Sequence, residues 1–413
     1  MAKGFGEASI SPKERKKSSS IKAPIDCEQV QQQWSKHFEN LTDPRGAKGV
    51  LHPFLSIVMI ALLATIAGAK GWEDIETYGV SHESWLSEFL ALPFGIPSAD
   101  TYRRLFERIS PTAFEQSFQS WLNGLVRDLG AQVIPIDGKT LKGSYDRNRE
   151  QSALHLVSAW ASDNRLFLGQ VKVENKSNEM SAIPTLLELL DISGCIITID
   201  AMGTQTKIAH QIQAQGADYV LALKGNHPTL YQQVEQWFTN ASASNFQDLE
   251  YSYDVRVESG HHRREKRQVT AVALNQMGGL YKQAQWCGLQ TIVRVIRTRH
   301  LWNQTTTEVM FYLSSLPPNA QKLGQAIRQH WSIENQLHWI LDVTFGEDAC
   351  RIRQGNAPEN LALLKRWSIN LLNQETSFKR STRQKAKRAS MDVAYLLQVL
   401  NASIPLYSNL FET

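Results

Sequence analysis

Two short apolar runs that each lead into an aspartate constrain this chain more than any other feature. Residues 133–136 precede Asp137, and residues 195–199 precede Asp200. Such runs predict strands of one α/β sheet, in which side chains at the strands' carboxyl ends face the ligand-binding crevice. Two carboxylates there can converge on a hard cation, which takes oxygen ligands. Either aspartate alone is more readily explained as a turn residue that caps the next segment of the chain; together they favour a site.

The elements around these aspartates predict a ribonuclease-H-like core. Strand patterns joined by a hairpin turn, then alternating helices and strands, follow the first run over residues 153–161, 166–173, 181–190, 195–200, 204–215 and 219–223. The order β-β-β-α-β-α-β places Asp137 at the end of the first strand and Asp200 at the end of the fourth. Pro135 conflicts with a central strand because proline donates no ladder hydrogen bond. We therefore expect it at the strand's first, unpaired position.

Downstream, a second group of strand patterns predicts a β-rich unit that is inserted into the core rather than part of it. Helical periodicity then returns, and Ser332 is a plausible cap for a helix over residues 333–343. Ile333, Leu337 and Leu341 form its core stripe. Glu334 and His338 lie beside that stripe, one turn apart.

The fold class predicted from these patterns is α/β. A ribonuclease-H-like mixed sheet core with helices is interrupted by a β-rich insertion and preceded by a helical N-terminal domain. The apolar segment 51–69 is broken by polar residues, so we expect a buried helix and no membrane span. The predicted divisions begin with a disordered basic arm at residues 1–25 and the helical domain at 26–125. The first part of the core follows at 126–240, the insertion at 241–317 and the second part of the core at 318–375. A basic segment with a C-terminal helix ends the chain at 376–413.

Positive charge is concentrated towards the ends of the chain. The net charge is +4, yet residues 1–25 carry +4 and residues 376–390 carry +6 with no acid. This distribution suits a polyanionic partner, although solvated tails explain it as well. The 4 cysteines show no CxxC spacing, and no secretory signal is visible at the start. We therefore expect a reducing compartment.

Seven short stretches resemble one family. They are residues 52–63 with 71–76, 136–144, 176–179, 199–201, 222–226, 330–335 and 342–349. In this order they resemble bacterial insertion-sequence transposases of the DDE type, in the group that includes the H-repeat-associated proteins. At the places where related transposases with hairpin intermediates often carry tyrosine, arginine and lysine, this chain has Ile327, His330 and Leu341. The route of second-strand cleavage therefore stays open.

The resemblance implies that Asp137, Asp200 and Glu334 form a metal-binding catalytic triad. We expect two Mg²⁺ ions, for which Mn²⁺ can substitute, with Asp137 shared between them. The implied activity is cleavage of double-stranded DNA at element ends and strand transfer into a target, by a homodimer assembled on DNA. We expect a cytoplasmic, nucleoid-associated bacterial protein. Two alternatives stay open, a metal-dependent nuclease without strand transfer and an inactive DNA-binding remnant.

Several basic residues are candidate DNA contacts. Lys139 and Lys142 can contact the scissile strand, although structural pairing explains them equally well. His338 can position the target strand. The full candidate set is Lys139, Lys142, Lys224, Arg263, Arg267, His330, His338, Arg351, Arg353, Lys379, Arg380, Lys385 and Arg388.

The third carboxylate has several candidates in the sequence. Asp342 lies about 80° round an ideal helix from Glu334, so both can face one crevice. Glu347 and Asp348 are predicted in a loop, where Arg351 and Arg353 can neutralise them. A packed helix fixes a ligand better than a loop, and the resemblance also selects Glu334.

Overall fold

The computed structural model describes residues 27–46, 50–125, 130–146, 152–174, 179–260 and 263–402. The predicted basic arm at residues 1–25 lies outside this part of the chain. A helical region comes first, and its helices are α1 Cys27–His37, α2 Phe54–Ile66, α3 Trp72–Ser81, α4 Glu83–Leu86, α5 Ala99–Phe106 and α6 Pro111–Leu125.

Helix α2 is the most apolar element of this region. It has no charged residue, and every residue from Ser56 to Ile66 is buried. A helix that is apolar on all sides must be surrounded by protein or lipid, and α2 packs against neighbouring helices of the fold. No helix in the described part of the chain is long and apolar enough to cross a membrane. The prediction of a buried helix is confirmed.

Nine strands of the described chain form one mixed sheet in the order β3-β2-β1-β4-β5-β9-β8-β7-β6. The first five are β1 Val133–Leu141, β2 Leu154–Ala161, β3 Leu166–Lys172, β4 Ile196–Ile199 and β5 Asp218–Leu223. Strands β1, β4 and β5 run parallel, whereas β2 is antiparallel to both of its neighbours, β1 and β3. The helices between and after them are α7 Glu179–Glu188, α8 Thr206–Ala214 and α9 Pro228–Ala243. The predicted ribonuclease-H-like core is confirmed.

The β-rich unit is inserted in the chain, but it is not separate from the core sheet. Its strands are β6 Tyr251–Gly260, β7 Arg263–Ala273, β8 Thr291–His300 and β9 Thr305–Ser314. Strand β9 pairs antiparallel with β5, with Ala222 opposite Tyr312. The expectation of a unit distinct from the core is therefore wrong in this respect. Without β9, strand β5 would leave an unpaired sheet edge.

Pro135 is the third residue of β1, not the first as predicted. It is paired in register with Thr198 of β4. The ladder between β1 and β2 begins only at Ile136. Val133 accepts a hydrogen bond from Ser162, just beyond β2. Backbone groups two residues apart point to the same side of a strand, so the backbone nitrogen of Pro135, like the carbonyl of Val133, faces β2. The β1–β2 ladder has not yet begun there, and the absence of an N–H on Pro135 breaks no ladder hydrogen bond.

The last part of the chain is helical. Its helices are α10 Ala320–His330, α11 Trp339–Val343, α12 Ala357–Gln374, α13 Thr382–Ala389 and α14 Val393–Asn401. The long helix α12 is buried along most of its length and packs against α2 and β3. Its Trp367 packs against Trp34 of α1 and Trp121 of α6 with tilted rings, whose centroids are 5.6 Å apart in both pairs. The helical region and the sheet thus share one hydrophobic core.

Candidate active site

Asp137 and Asp200 occupy equivalent positions on neighbouring parallel strands. The β1–β4 ladder ends at the pair Ile136–Ile199, and each aspartate is the next residue. Neighbouring strands lie about 4.8 Å apart, so the two carboxylates are held close together. Asp137 does not end its strand, as the sequence had suggested, because β1 continues to Leu141 in an antiparallel ladder with β2.

Asp200 also acts as a turn residue. Its Oδ1 accepts hydrogen bonds from the backbone N–H groups of Met202 at 3.0 Å and Gly203 at 3.4 Å. Oδ2 takes part in neither bond. The two interpretations offered by the sequence, a capping residue and a site residue, are therefore compatible.

Glu334 lies on a π-helical turn, Ile333–His338, between α10 and α11. The sequence predicted an α-helix capped by Ser332, and both details are wrong. Ser332 has helical backbone angles, φ −66° and ψ −34°, because the chain is already helical before it. Its hydroxyl pairs with that of Ser162 at 2.8 Å. Single π-helical turns occur frequently at functional sites.

The electrostatics of Asp137 indicate that three other acidic side chains lie near it. Its pKa is raised to about 7, chiefly by burial and then by the negative charges of Glu179, Glu334 and Asp200. The histidine next to Asp137 carries no positive charge that would lower this pKa. His338 Nδ1 lies 3.6 Å from Asp137 Oδ2, but burial, Arg366 and Lys139 lower the pKa of His338 to about 3. The imidazole is therefore neutral at ordinary pH.

The other candidate carboxylates have basic partners. Lys139 Nζ lies 2.8 Å from Asp342 and 3.3 Å from Asp348, and Lys142 lies 2.9 Å from Asp348. Glu347 is fully buried with Arg366, at 2.6 Å. Neutralisation by Arg351 and Arg353 was therefore a wrong expectation. Arg351 is exposed, and Arg353 donates to the carbonyl of Gly143.

Glu334 differs from these three acids. It forms no salt bridge or hydrogen bond with a side chain of the described chain, and it is exposed. Together with Asp137 and Asp200 it supplies oxygen donors whose mutual repulsion a cation would relieve. No three acidic, histidine or cysteine side chains of the described residues could hold a metal as they stand.

Two family models match the chain. One, described as DDE_Tnp_1-associated, matches residues 35–122, and the other, described as Transposase DDE domain, matches residues 128–371. The chain belongs to the DDE transposases. It is an enzyme of the bacterial insertion-sequence type, as the resemblance predicted.

Named relatives of this transposase cover nearly its whole length. "Putative protein YbfL" and "H repeat-associated putative transposase YhhI", both of Escherichia coli K12, are 38% identical over 89% of this chain and 97% of their own. "Putative transposase YncI" of E. coli O157:H7 is 36% identical over 87% of this chain and 92% of its own. A solved piggyBac transposase synaptic complex with hairpin DNA aligns with a TM-score of 0.39 and 11% identity, over 92% of this chain and 80% of that one.

The transposase has a basic cleft that reaches Glu334. This cleft, between strands β7–β9 and α10, has a volume of about 250 Å³. Arg263 and Arg267, predicted from the sequence, line it. So do Arg297, Arg299 and Arg328, which the sequence analysis missed. Arg297 and Arg299 alternate along β8 and so face the same side, a pattern that could have been detected.

The other predicted DNA-contact residues differ in exposure and in their internal partners. Lys224 is exposed near His330, whose pKa is lowered by burial. His330 Nδ1 pairs with the Thr198 hydroxyl at 3.0 Å. Lys139 is 9% exposed and forms salt bridges with two carboxylates. This favours structural pairing over DNA contact for Lys139. Lys142 pairs with Asp348 at its exposed end.

The C-terminal basic segment divides into exposed and structural residues. Lys379 and Arg380 are exposed. Lys385 is buried and donates to the carbonyls of Leu372, at 2.8 Å, and Glu375. Arg388 lies over the Tyr395 ring, 4.4 Å from its centroid. Binding of DNA by Lys385 and Arg388 stays a prediction. The internal contacts of these two side chains do not favour it.

Proposed function

We propose that this transposase cleaves the ends of its own element and transfers the strands into target DNA, with metal ions held by Asp137, Asp200 and Glu334. One observation carries the proposal. These three carboxylates come from β1, the end of β4 and the π-helical turn, and none of them pairs with a lysine or arginine among the described residues. The competing acids Asp342, Glu347 and Asp348 are all neutralised by lysine or arginine.

Each residue of the triad has a distinct part. Asp137 would be the ligand common to both ions, and Asp200 would offer Oδ2 while its Oδ1 holds the turn. Glu334 reaches in from the helix. When bound, Mg²⁺ or Mn²⁺ would activate a water or 3′-hydroxyl for attack and would stabilise the leaving oxyanion. Neutral His338 packs against Asp137 and fixes its direction, so it is a positioning residue.

The basic cleft provides a path for the DNA backbone to the triad. Five arginines line it against two glutamates, Glu265 and Glu334. Glu265 is buried and binds Arg267 and Arg299, the latter at 3.1 Å. It thereby holds both guanidinium groups in place for phosphate contacts. We further propose that the protein acts on double-stranded DNA as a homodimer, on the chromosome in the cytoplasm.

The test uses a duplex carrying the inverted repeat that flanks the gene, together with a target plasmid. With Mg²⁺, the protein should nick the 3′ ends and form joined products. Asp137→Ala should abolish both reactions while binding DNA within a few-fold of the wild type. Cleavage at the wild-type rate in this variant, or in EDTA, would reject the proposal. Cleavage without joined product would identify a nuclease instead.

A further inference from the structure

A fourth carboxylate lies beside Asp137. Glu179 is the first residue of α7, and its side chain is only 15% exposed. Among charged groups, it makes the largest contribution to the raised pKa of Asp137, ahead of Glu334 and Asp200. In the sequence, Glu179 stands out only as the last residue of the stretch 176–179, without a predicted role.

A short chain of hydrogen bonds holds this glutamate. His155 Nε2 lies 2.8 Å from Glu179 Oε1, and His155 Nδ1 lies 2.7 Å from the hydroxyl of Thr140. A carboxylate only accepts, so Nε2 donates to it, and in the neutral ring Nδ1 accepts from Thr140. Thr140 lies on β1, three residues beyond Asp137, and His155 lies on β2. The sheet that carries Asp137 therefore also orients Glu179.

Gly138 makes room for this arrangement. A Cβ atom at this position would lie 2.0 Å from Glu179 Oε1 and 2.6 Å from His155 Nε2. The residue is in the middle of β1 and is not among the glycines with positive φ, so backbone conformation does not require glycine. The close approach of Glu179 to the strand does.

We propose that Glu179 is a fourth carboxylate of the metal centre, which binds a divalent cation through Oε2 while His155 holds Oε1. The inference rests on the proposed function of the triad. Oε2 has no hydrogen-bond partner among the described residues. Two divalent ions bring four positive charges, which three carboxylates balance only in part. Glu179 supplies the fourth negative charge before any DNA phosphate is present.

The test measures Mn²⁺ binding to the full-length protein without DNA, by isothermal titration calorimetry. Glu179→Gln keeps the size of the side chain and should weaken Mn²⁺ affinity at least about 10- to 100-fold, the loss typical of removing an outer-shell partner of a metal ligand. Glu188→Gln is the matched control, because Glu188 is exposed at the other end of α7, and it should bind as the wild type does. Asp137→Asn should also bind weakly.

A second variant protects the test against misfolding. Gly138→Ala would displace Glu179 without changing any charge, and should weaken Mn²⁺ binding in the same direction. Wild-type Mn²⁺ affinity in Glu179→Gln, or in Gly138→Ala if the first variant does not fold, would overturn the inference. If Asp137→Asn is then weak, the proposed triad survives. If Asp137→Asn also binds normally, the proposed metal site itself fails.

Discussion

Asp137→Asn should stabilise the metal-free protein at pH 8. Burial and three neighbouring carboxylates raise the pKa of Asp137 from 3.8 to about 7. The folded protein therefore holds this proton more tightly than the unfolded chain does. As pH rises from about 4 to about 7, the unfolded chain releases the proton first, and the folded state loses stability. Each pH unit corresponds to 1.36 kcal/mol, so the full cost is up to about 4 kcal/mol.

Asparagine resembles protonated aspartate and removes this cost. In EDTA at pH 8, the free energy of unfolding from urea titrations should be higher in Asp137→Asn than in the wild type, by up to about 4 kcal/mol. At pH 4 the two proteins should be nearly equal, which controls for other effects of the substitution. Mg²⁺ at pH 8 should stabilise the wild type and not the variant, because a ligand stabilises the state that binds it. An Asn variant no more stable than the wild type at pH 8 would refute the reasoning.

Two further predictions concern residues away from the triad. The exposed basic residues of the C-terminal segment are Lys379, Arg380, Arg383 and Lys387. Their replacement by glutamine should make the slope of log DNA affinity against log salt shallower, by about 0.9 for each phosphate that is no longer neutralised. An unchanged slope in filter-binding titrations would show that the segment points away from DNA. Glu347→Gln should lower the free energy of unfolding by about 3–5 kcal/mol, because it leaves Arg366 charged and unpaired in the core. Urea unfolding close to that of the wild type would contradict a structural role for the pair.

The sequence predicted most of the local structure that carries the site. The order of strands and helices in the core could be predicted from two patterns. These are the apolar runs before Asp137 and Asp200 and the alternation of strand and helix periodicity. The apolar stripe of Ile333, Leu337 and Leu341 placed Glu334 on a helix. These are local patterns, with periods of about 2 or 3.6 residues.

What the sequence could not predict depends on contacts between distant segments. Strand β1 continues past Asp137 only because β2 pairs with it. Lys139 meets Asp342 across 203 positions of the chain, and the extension of the sheet depends on β9 reaching β5. The closeness of Glu179 to Asp137 likewise results from the packing of α7 on the sheet. No spacing in the sequence encodes such neighbours.

The most direct test of the central claim compares Glu334→Gln with Asp342→Asn. Asp342 lies eight residues further along the same helical segment, where it binds Lys139, which retains Asp348 as a second partner. Cleavage of the element-end duplex in Mg²⁺ is measured at equal thermal stability of the two proteins. Glu334→Gln should lose cleavage, and Asp342→Asn should keep it within a few-fold of the wild type. An active Glu334→Gln with an inactive Asp342→Asn would contradict this account and move the third ligand to Asp342.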